Sequence, residues 1–377
     1  MLGFPALAAD PELKAPYAIL VDYDSGKVLY EKNANVAVPP SSMSKILTVY
    51  RIFELLRDGA YTLDSEFTVG PEAWKKAKSM NASSGSTMFL ESGERVRLED
   101  LIRGIIVNSG NDATVVAAEN ISGSEAAFVS DLNALAGRLG LKSAVVSNAS
   151  GWYDKEHLMS ARDLASLSSA IIADFPQYYH YFAEKEFLYK KDLTGNKDNR
   201  NKLLWIMPES DGLKTGHTAQ FGYGLAASAK RGERRLVSVV NGLKDANGNF
   251  GRFSESKALL EWGFREFSNL VYFDDGAKAL DVPVWFGARS SVPAGASRKV
   301  VITNRRGAAA DVELRATYDS PAPAPVSRGD RLGRLELYID GARAAEYDLV
   351  ALEDVRRSNF FVRIFQNMKQ IILRMVG

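Results

Sequence analysis

The sequence predicts an α+β fold. An antiparallel sheet carries helices on its faces and an all-helical subregion, and is followed by a small all-β, sandwich-like domain and a C-terminal amphipathic helix. Three observations predict this. Strand-like runs near Tyr17 and Lys214 enclose a long helical stretch, with no alternation of strand and helix of the kind that builds a parallel sheet. After Asn269 the helix patterns vanish, and short strand-like runs alternate with Gly and Pro turns. From Val355 onward apolar residues recur at helical spacing among basic residues only.

Residues 17–31 read as a hairpin around Asp24-Ser25-Gly26. Residues 42–58 read as a helix that buries Ile46, Leu47, Val49, Tyr50, Phe53 and Leu56, and Pro39 and Pro40 stop the segment before it. A largely helical stretch runs from about Leu98 to Phe182, broken by Gly-rich turns. Strands return at LKTG, at FGYGLAASAK and at RRLVSVVNGL, the last two joined by a turn at Arg231-Gly232-Glu233. A helix from Arg252 to Phe267 closes this part. The runs KALDVPVWF, RKVVITN, DVELRATY, RLELYID and AAEYDLVAL form the β-rich part, with 321–325 (PAPAP) as a stiff turn or loop. The boundaries drawn are 1–15, 16–268, 269–354 and 355–377.

Both ends read as targeting signals. The start, MLGFPALAAD, holds a short apolar run and an A-x-A-like Ala6-Leu7-Ala8, the tail of an export signal. The end carries Arg356, Arg357, Arg363, Lys369 and Arg374 beside Phe360, Phe361, Ile364, Phe365, Met368, Ile371, Ile372 and Met375. A basic helix with a broad apolar face suits a membrane surface, its axis in the interface plane. The alternative is a terminal helix packed on the domain. No run approaches the roughly 18 apolar residues of a spanning helix.

Composition excludes several chemistries. The chain has 377 residues, 46% hydrophobic and 25% charged, which is ordinary for globular domains. A net charge of +1 gives no reason to expect a nucleic-acid partner. With no cysteine, thiolate catalysis, cysteine zinc sites and disulfides are ruled out. His157, His180 and His217 are far apart in sequence and form no H-E-x-x-H pair, which argues against a zinc hydrolase. There is no G-x-S-x-G elbow and no phosphate-binding glycine motif, so no cofactor is expected.

Three short motifs remain. Ser42-Met43-Ser44-Lys45 is an S-x-x-K at a helix start, where residues three apart share a face. Lys45 therefore reaches the Ser42 hydroxyl, and a buried lysine near other cations loses its proton readily enough to act as base. By itself Ser42 could equally be a helix N-cap. Ser109-Gly110-Asn111 is an S-x-N between two helical runs, where Asn111 could equally cap the second. Lys214-Thr215-Gly216 is a K-T-G on a strand, where Gly216 would let a substrate backbone approach closely.

Together, in this order and on these elements, the motifs resemble the penicilloyl serine transferases, the group of penicillin-binding proteins and serine β-lactamases. SMSKILTVY, MFLESGERV, LIRGIIVNSGNDA, SARDLA, NRNKLLW and DGLKTGHTAQFGYGLAASAKR narrow the resemblance to the low-molecular-mass D-alanyl-D-alanine carboxypeptidases. So do APVSRGDRLGRLEL and the basic end. The resemblance implies a serine carboxypeptidase acting on peptidoglycan stem peptides that end in D-Ala-D-Ala and acylated by β-lactam antibiotics. It implies a peripheral place on the periplasmic face of the bacterial inner membrane. Ser42 is then the nucleophile and Lys45 its base. Ser109 and Lys214 shuttle a proton to the leaving D-alanine, and Asn111 holds the substrate amide. Thr215 binds the terminal carboxylate, and His217 lends a backbone N–H to the oxyanion hole with that of Ser42. Arg252 is the candidate for a second carboxylate contact.

Alternatives weighed are a class A-like β-lactamase, which would need a water-activating glutamate such as Glu156, and a non-catalytic peptidoglycan-binding scaffold. A Ser-His-Asp triad through His217 is disfavoured, because Lys45 already serves as base. Arg162 and Asp163 read as a structural ion pair and a helix-start charge. Trp152 and Tyr153 fit the cleft wall and the core equally well.

Overall fold

The computed structural model describes residues 9–84, 86–190, 196–244, 248–308 and 310–359. The apolar start through Ala8 and the amphipathic stretch after Asn359 lie outside the described residues. The chain divides between Glu266 and Phe267 into two compact units.

The first unit is built on a five-stranded antiparallel sheet of order β2-β1-β7-β6-β5. The first hairpin is β1 (Tyr17–Asp22) and β2 (Val28–Lys32). Its turn forms because the Asp22 carboxylate accepts the backbone N–H groups of Asp24 and Ser25 at 3.2 and 3.1 Å. The other three strands are β5 (Ser210–Thr218), β6 (Gly222–Arg231) and β7 (Arg234–Leu243). The turn between β6 and β7 places Gly232 at φ +60°, a conformation glycine adopts without a Cβ penalty.

Strand alternation sends the two faces of the sheet to different helices. Ile19, Val237 and Val239 face the main core, which includes Leu164, Leu167 and Ile171 of α6 (Ala161–Asp174). Leu20 and Leu236 face the other way, against Gly263 of α8 (Gly248–Glu266). The central strand β7 is therefore covered on both sides, and apolar residues on both of its faces, Leu236, Val237, Val239 and Val240, are buried. Helix α8 starts one turn earlier than the sequence suggested, so Arg252 lies inside it.

Between β2 and β5 the chain is mostly helical. Helix α1 (Lys45–Arg57) is buried on nearly every side, Lys45 and Thr48 included. A single turn of 3-10 helix, Ser41–Ser44, leads into it. Ser42 is thus not an N-cap: it lies inside the tightened turn, and no side chain caps either helix start. Two short strands, β3 (Glu66–Thr68) and β4 (Arg95–Arg97), flank α2 (Pro71–Ser84), none of them foreseen. Then follow α3 (Leu98–Ile106), α4 (Asn111–Ser122) and α5 (Glu125–Arg138). The four-residue α7 (Leu203–Ile206) precedes β5.

In the second unit the strands are β8 (Phe267–Phe273), β9 (Leu280–Trp285), β10 (Ser291–Ala296), β11 (Val300–Arg305), β12 (Val312–Tyr318), β13 (Ala322–Pro323), β14 (Arg331–Ile339) and β15 (Ala342–Ala351). Six form one sheet of order β12-β14-β15-β10-β9-β13, and β8 pairs with β11. Val300 and Ile302 of β11 share a core with Val282, Val292, Leu335 and Leu349 of the larger sheet. This is a sandwich-like arrangement. Val355 and Arg357, where the sequence suggested a helix, instead form β-bridges to Val326 and Gly287. Val355 is buried in the sandwich core, which overrides its helical spacing.

Candidate active site

The three motifs converge on one cleft of about 800 Å³ in the first unit. Ser42, Ser109, Asn111, Thr215, Gly216, His217 and Arg252 line it. Lys45 and Lys214 lie beneath, both buried.

Lys45 Nζ lies 3.0 Å from Ser42 Oγ and 2.9 Å from Asn111 Oδ1, and it also donates to the Ser150 carbonyl. The Asn111 and Ser150 oxygens can only accept. A neutral amine has two N–H bonds and one lone pair, so two donations leave the lone pair for the Ser42 hydroxyl. Burial lowers the Lys45 pKa to about 7, helped by the positive charge of Arg200 and opposed by the Asp112 carboxylate. At neutral pH a substantial fraction of Lys45 is therefore the free amine a general base must be.

Asn111 is the first residue of α4, and Gly110 takes the cap position, so its side chain is spent on Lys45 and not on capping. Ser109 occupies the left-handed region at φ +58°, unusual for a residue with a Cβ. Its hydroxyl lies 2.9 Å from Lys214 Nζ. Burial pushes the Lys214 pKa well down, with Lys45, Arg200 and Arg252 adding to the effect. A neutral Lys214 can pass a proton to or from Ser109.

Strand β5 is the sheet edge beside the cleft, and Thr215 and His217 line the wall. Gly216 has a role the sequence did not suggest. A Cβ there would lie 2.7 Å from the Pro40 carbonyl oxygen and 3.2 Å from the Ser41 Cβ. The missing side chain lets β5 pack against the turn that carries Ser42, so it sets the gap between nucleophile and strand. The His217 ring stacks on Tyr223, its cross-strand partner, at 3.9 Å and 18°. That stacking gives it no triad carboxylate. Burial first, then Arg252 and Arg200, lower its pKa.

Arg252 donates to the Gly216 carbonyl at 3.0 Å and to Asn249 Oδ1 at 2.8 Å. Burial lowers its pKa to about 10, so it stays cationic at neutral pH. A second arginine, Arg200, also lines the cleft, 2.8 Å from Ser86 Oγ. Sequence reasoning assigned it no role, although it sits in the quoted NRNKLLW stretch. No motif spacing ties it to Ser42; only the loop that returns across the cleft brings it there. Among the described residues no Asp or Glu lines the cleft, and Glu156 is exposed outside it. The class A-like water activation by Glu156 has no geometric support.

Trp152 and Tyr153 line the cleft and are partly exposed, so of the two readings the cleft wall holds. Arg162 and Asp163 do not pair with each other. Arg162 pairs with Glu31, and Asp163 accepts from the Ser143 backbone and hydroxyl while its own backbone N–H donates to Ser160 Oγ at the helix start.

One buried carboxylate supports the site from behind. Asp112 accepts from Thr87 Oγ1 at 2.7 Å and from the backbone N–H groups of Met88 and Leu90 at 2.9 and 3.2 Å. It ties the 87–90 segment to the start of α4, next to Asn111. Asp112→Ala strands these donors, and a urea melt is expected to show a loss of about 3 kcal/mol.

A family model described as D-alanyl-D-alanine carboxypeptidase matches residues 5–245. One described as the C-terminal domain of penicillin-binding protein 5 matches residues 267–357. The chain is 38% identical over 364 residues to D-alanyl-D-alanine carboxypeptidase DacA of Escherichia coli, covering 95% of this chain and 88% of the relative. It is 36% identical over 367 residues to DacC of the same organism, covering 96% and 90%. Among solved structures, penicillin-binding protein 5 from Haemophilus influenzae superposes with a TM-score of 0.79 at 35% identity, over 93% of this chain and 100% of that one.

Proposed function

Because the chain belongs to the D-alanyl-D-alanine carboxypeptidase family, we propose that the Ser42 cleft carries out that reaction through an acyl-enzyme. The protein is a serine carboxypeptidase that acts on peptidoglycan and binds β-lactams. The observation that carries the residue assignment is the buried Lys45 amine, with Nζ 3.0 Å from Ser42 Oγ and a pKa near neutrality.

Ser42 Oγ attacks the carbonyl carbon of the penultimate D-alanine while its proton passes to Lys45 Nζ. The oxyanion is held by the backbone N–H groups of Ser42 and His217. As the C–N bond breaks, the leaving D-alanine nitrogen takes a proton from Ser109, beside the neutral Lys214 amine, and the proton that Lys45 took from Ser42 replaces it, so that Lys45 is neutral again. Thr215, Arg252 and Arg200 favour a substrate that ends in a free carboxylate, since the cleft wall is cationic. Water then attacks the acyl carbonyl, giving a proton to neutral Lys45, which passes it to Ser42 Oγ as that oxygen leaves. A β-lactam acylates Ser42 by the same first step. Fluorescent penicillin is expected to label the wild type and not Ser42→Ala; equal labelling of both would defeat the assignment.

The basic, apolar-striped tail supports a peripheral position on the periplasmic face of the inner membrane. Truncation after Asn359 keeps the Val355 and Arg357 bridges. It is expected to release the chain from anionic vesicles in a sedimentation assay while soluble D-alanine release stays unchanged. Continued vesicle binding would count against the tail.

A further inference from the structure

Lys45 has one partner outside the three motifs, the Ser150 carbonyl. That carbonyl sits in a turn, 147–152, which side chains hold from several directions. Thr48 Oγ1 donates to the Ala149 carbonyl at 2.8 Å, and Glu125 Oε1 accepts the Ala149 N–H at 3.0 Å. Asn148 Oδ1 accepts the N–H groups of Ser150 and Trp152 at 3.2 and 2.9 Å. The entry to the turn is held by His157, whose Nδ1 accepts the Ser147 N–H at 3.2 Å.

His157 is only 2% exposed, and its Nε2 finds no hydrogen-bond partner among the described residues. A backbone N–H can only donate, so Nδ1 carries the lone pair, the proton sits on Nε2, and the ring is neutral. A buried N–H without a partner costs about 1–3 kcal/mol, which an apolar side chain would avoid. Stability alone does not account for a histidine here; its acceptor nitrogen does.

We propose that His157 is a positioning residue for acylation: its neutral imidazole anchors Ser147 and, through the 147–152 turn, sets the Ser150 carbonyl against Lys45 Nζ. The proposal rests on the Ser42–Lys45 reading above. It has an acid consequence. A protonated ring would turn an N–H toward the Ser147 N–H, and the anchor would become a repulsion. The charged groups acting on the ring are Asp154, on its own loop, and Lys45, on α1. Burial chiefly, with Lys45 in support and Asp154 opposing, holds the ring's pKa down to about 4.

The test uses the full chain and the stopped-flow rate of penicillin acylation. In His157→Asn the amide oxygen can replace Nδ1 as acceptor, whereas His157→Leu fills the space without one. The expected result is an acylation rate constant about 10²-fold lower in His157→Leu, with initial penicillin binding unchanged and near-wild-type behaviour in His157→Asn. The wild-type log rate should fall with a slope of about one below the Lys45 pKa and about two below roughly pH 4, and His157→Asn should keep a slope of about one. Wild-type acylation by His157→Leu, equal losses in both variants, or a single acid slope in the wild type would each overturn the proposal. Should His157→Leu not fold, the two acid slopes decide alone. Absence of any Ser42-dependent acylation in the wild type would instead remove the carboxypeptidase reading itself.

Discussion

Ser42→Ala is expected to release D-alanine from a muropeptide at least about 10⁴-fold more slowly than the wild type, because the covalent route is lost entirely. Mass spectrometry of released D-alanine measures this, and intact-protein mass shows the missing penicilloyl adduct. The fold should survive. Ser42 lies in a short 3-10 turn, its neighbours Met43 and Ser44 are buried, and no helix cap depends on its hydroxyl. A thermal melt within a few degrees of wild type would separate lost chemistry from lost structure. Retention of more than a hundredth of the activity would mean that another group is acylated.

Lys45→Gln is expected to slow acylation by about 10³-fold or more, since glutamine keeps the polar contacts to Asn111 and Ser150 but cannot take a proton. The wild-type rate should rise with pH through about 7, as the ammonium gives up its proton, and Lys45→Gln should lack that limb. The same group bears on stability, and the sign is opposite to that of a salt-bridged lysine. Its folded pKa, about 7, lies below its ordinary 10.5. Between these values the unfolded chain binds the proton and the folded chain does not. Stability from this group therefore rises with pH across the window, and the full penalty of a buried cation applies below about 7. A pH series of urea melts on wild type and Lys45→Gln isolates it: the difference in slope between about pH 7 and 10 should vanish in the variant. A wild-type acylation rate independent of pH between about 6 and 8 would remove Lys45 as the base.

Much of the fold was legible because periodicity is a local property. The β6–β7 hairpin, the helical interior and the change of texture near Asn269 each follow from residues close in sequence. The failures have physical reasons. Helix α2 was missed because its apolar stripe is thin and Lys-rich, with little to mark a buried face. Val355 looked helical because its neighbours do, yet burial against Val326 made it a bridge. Gly216 looked like a concession to substrate, whereas the Pro40 carbonyl occupies the space a side chain would need.

The sequence by itself determined the chemistry available: a serine and a lysine one turn apart, a second serine–asparagine pair, a second lysine and no thiol. Order along the chain was enough to suggest which reaction these residues serve, because each motif has its own local requirement of helix start, turn or strand. Only the tertiary structure decided what those groups are worth. Burial and Arg200, more than 150 residues away in sequence, bring Lys45 from an ordinary ammonium to an amine that can act as base. The carbonyl of Ser150, held in place by the 147–152 turn, directs the lone pair of that amine toward Ser42. Desolvation and hydrogen-bond direction depend on what surrounds a group in space, and no spacing in the sequence records them.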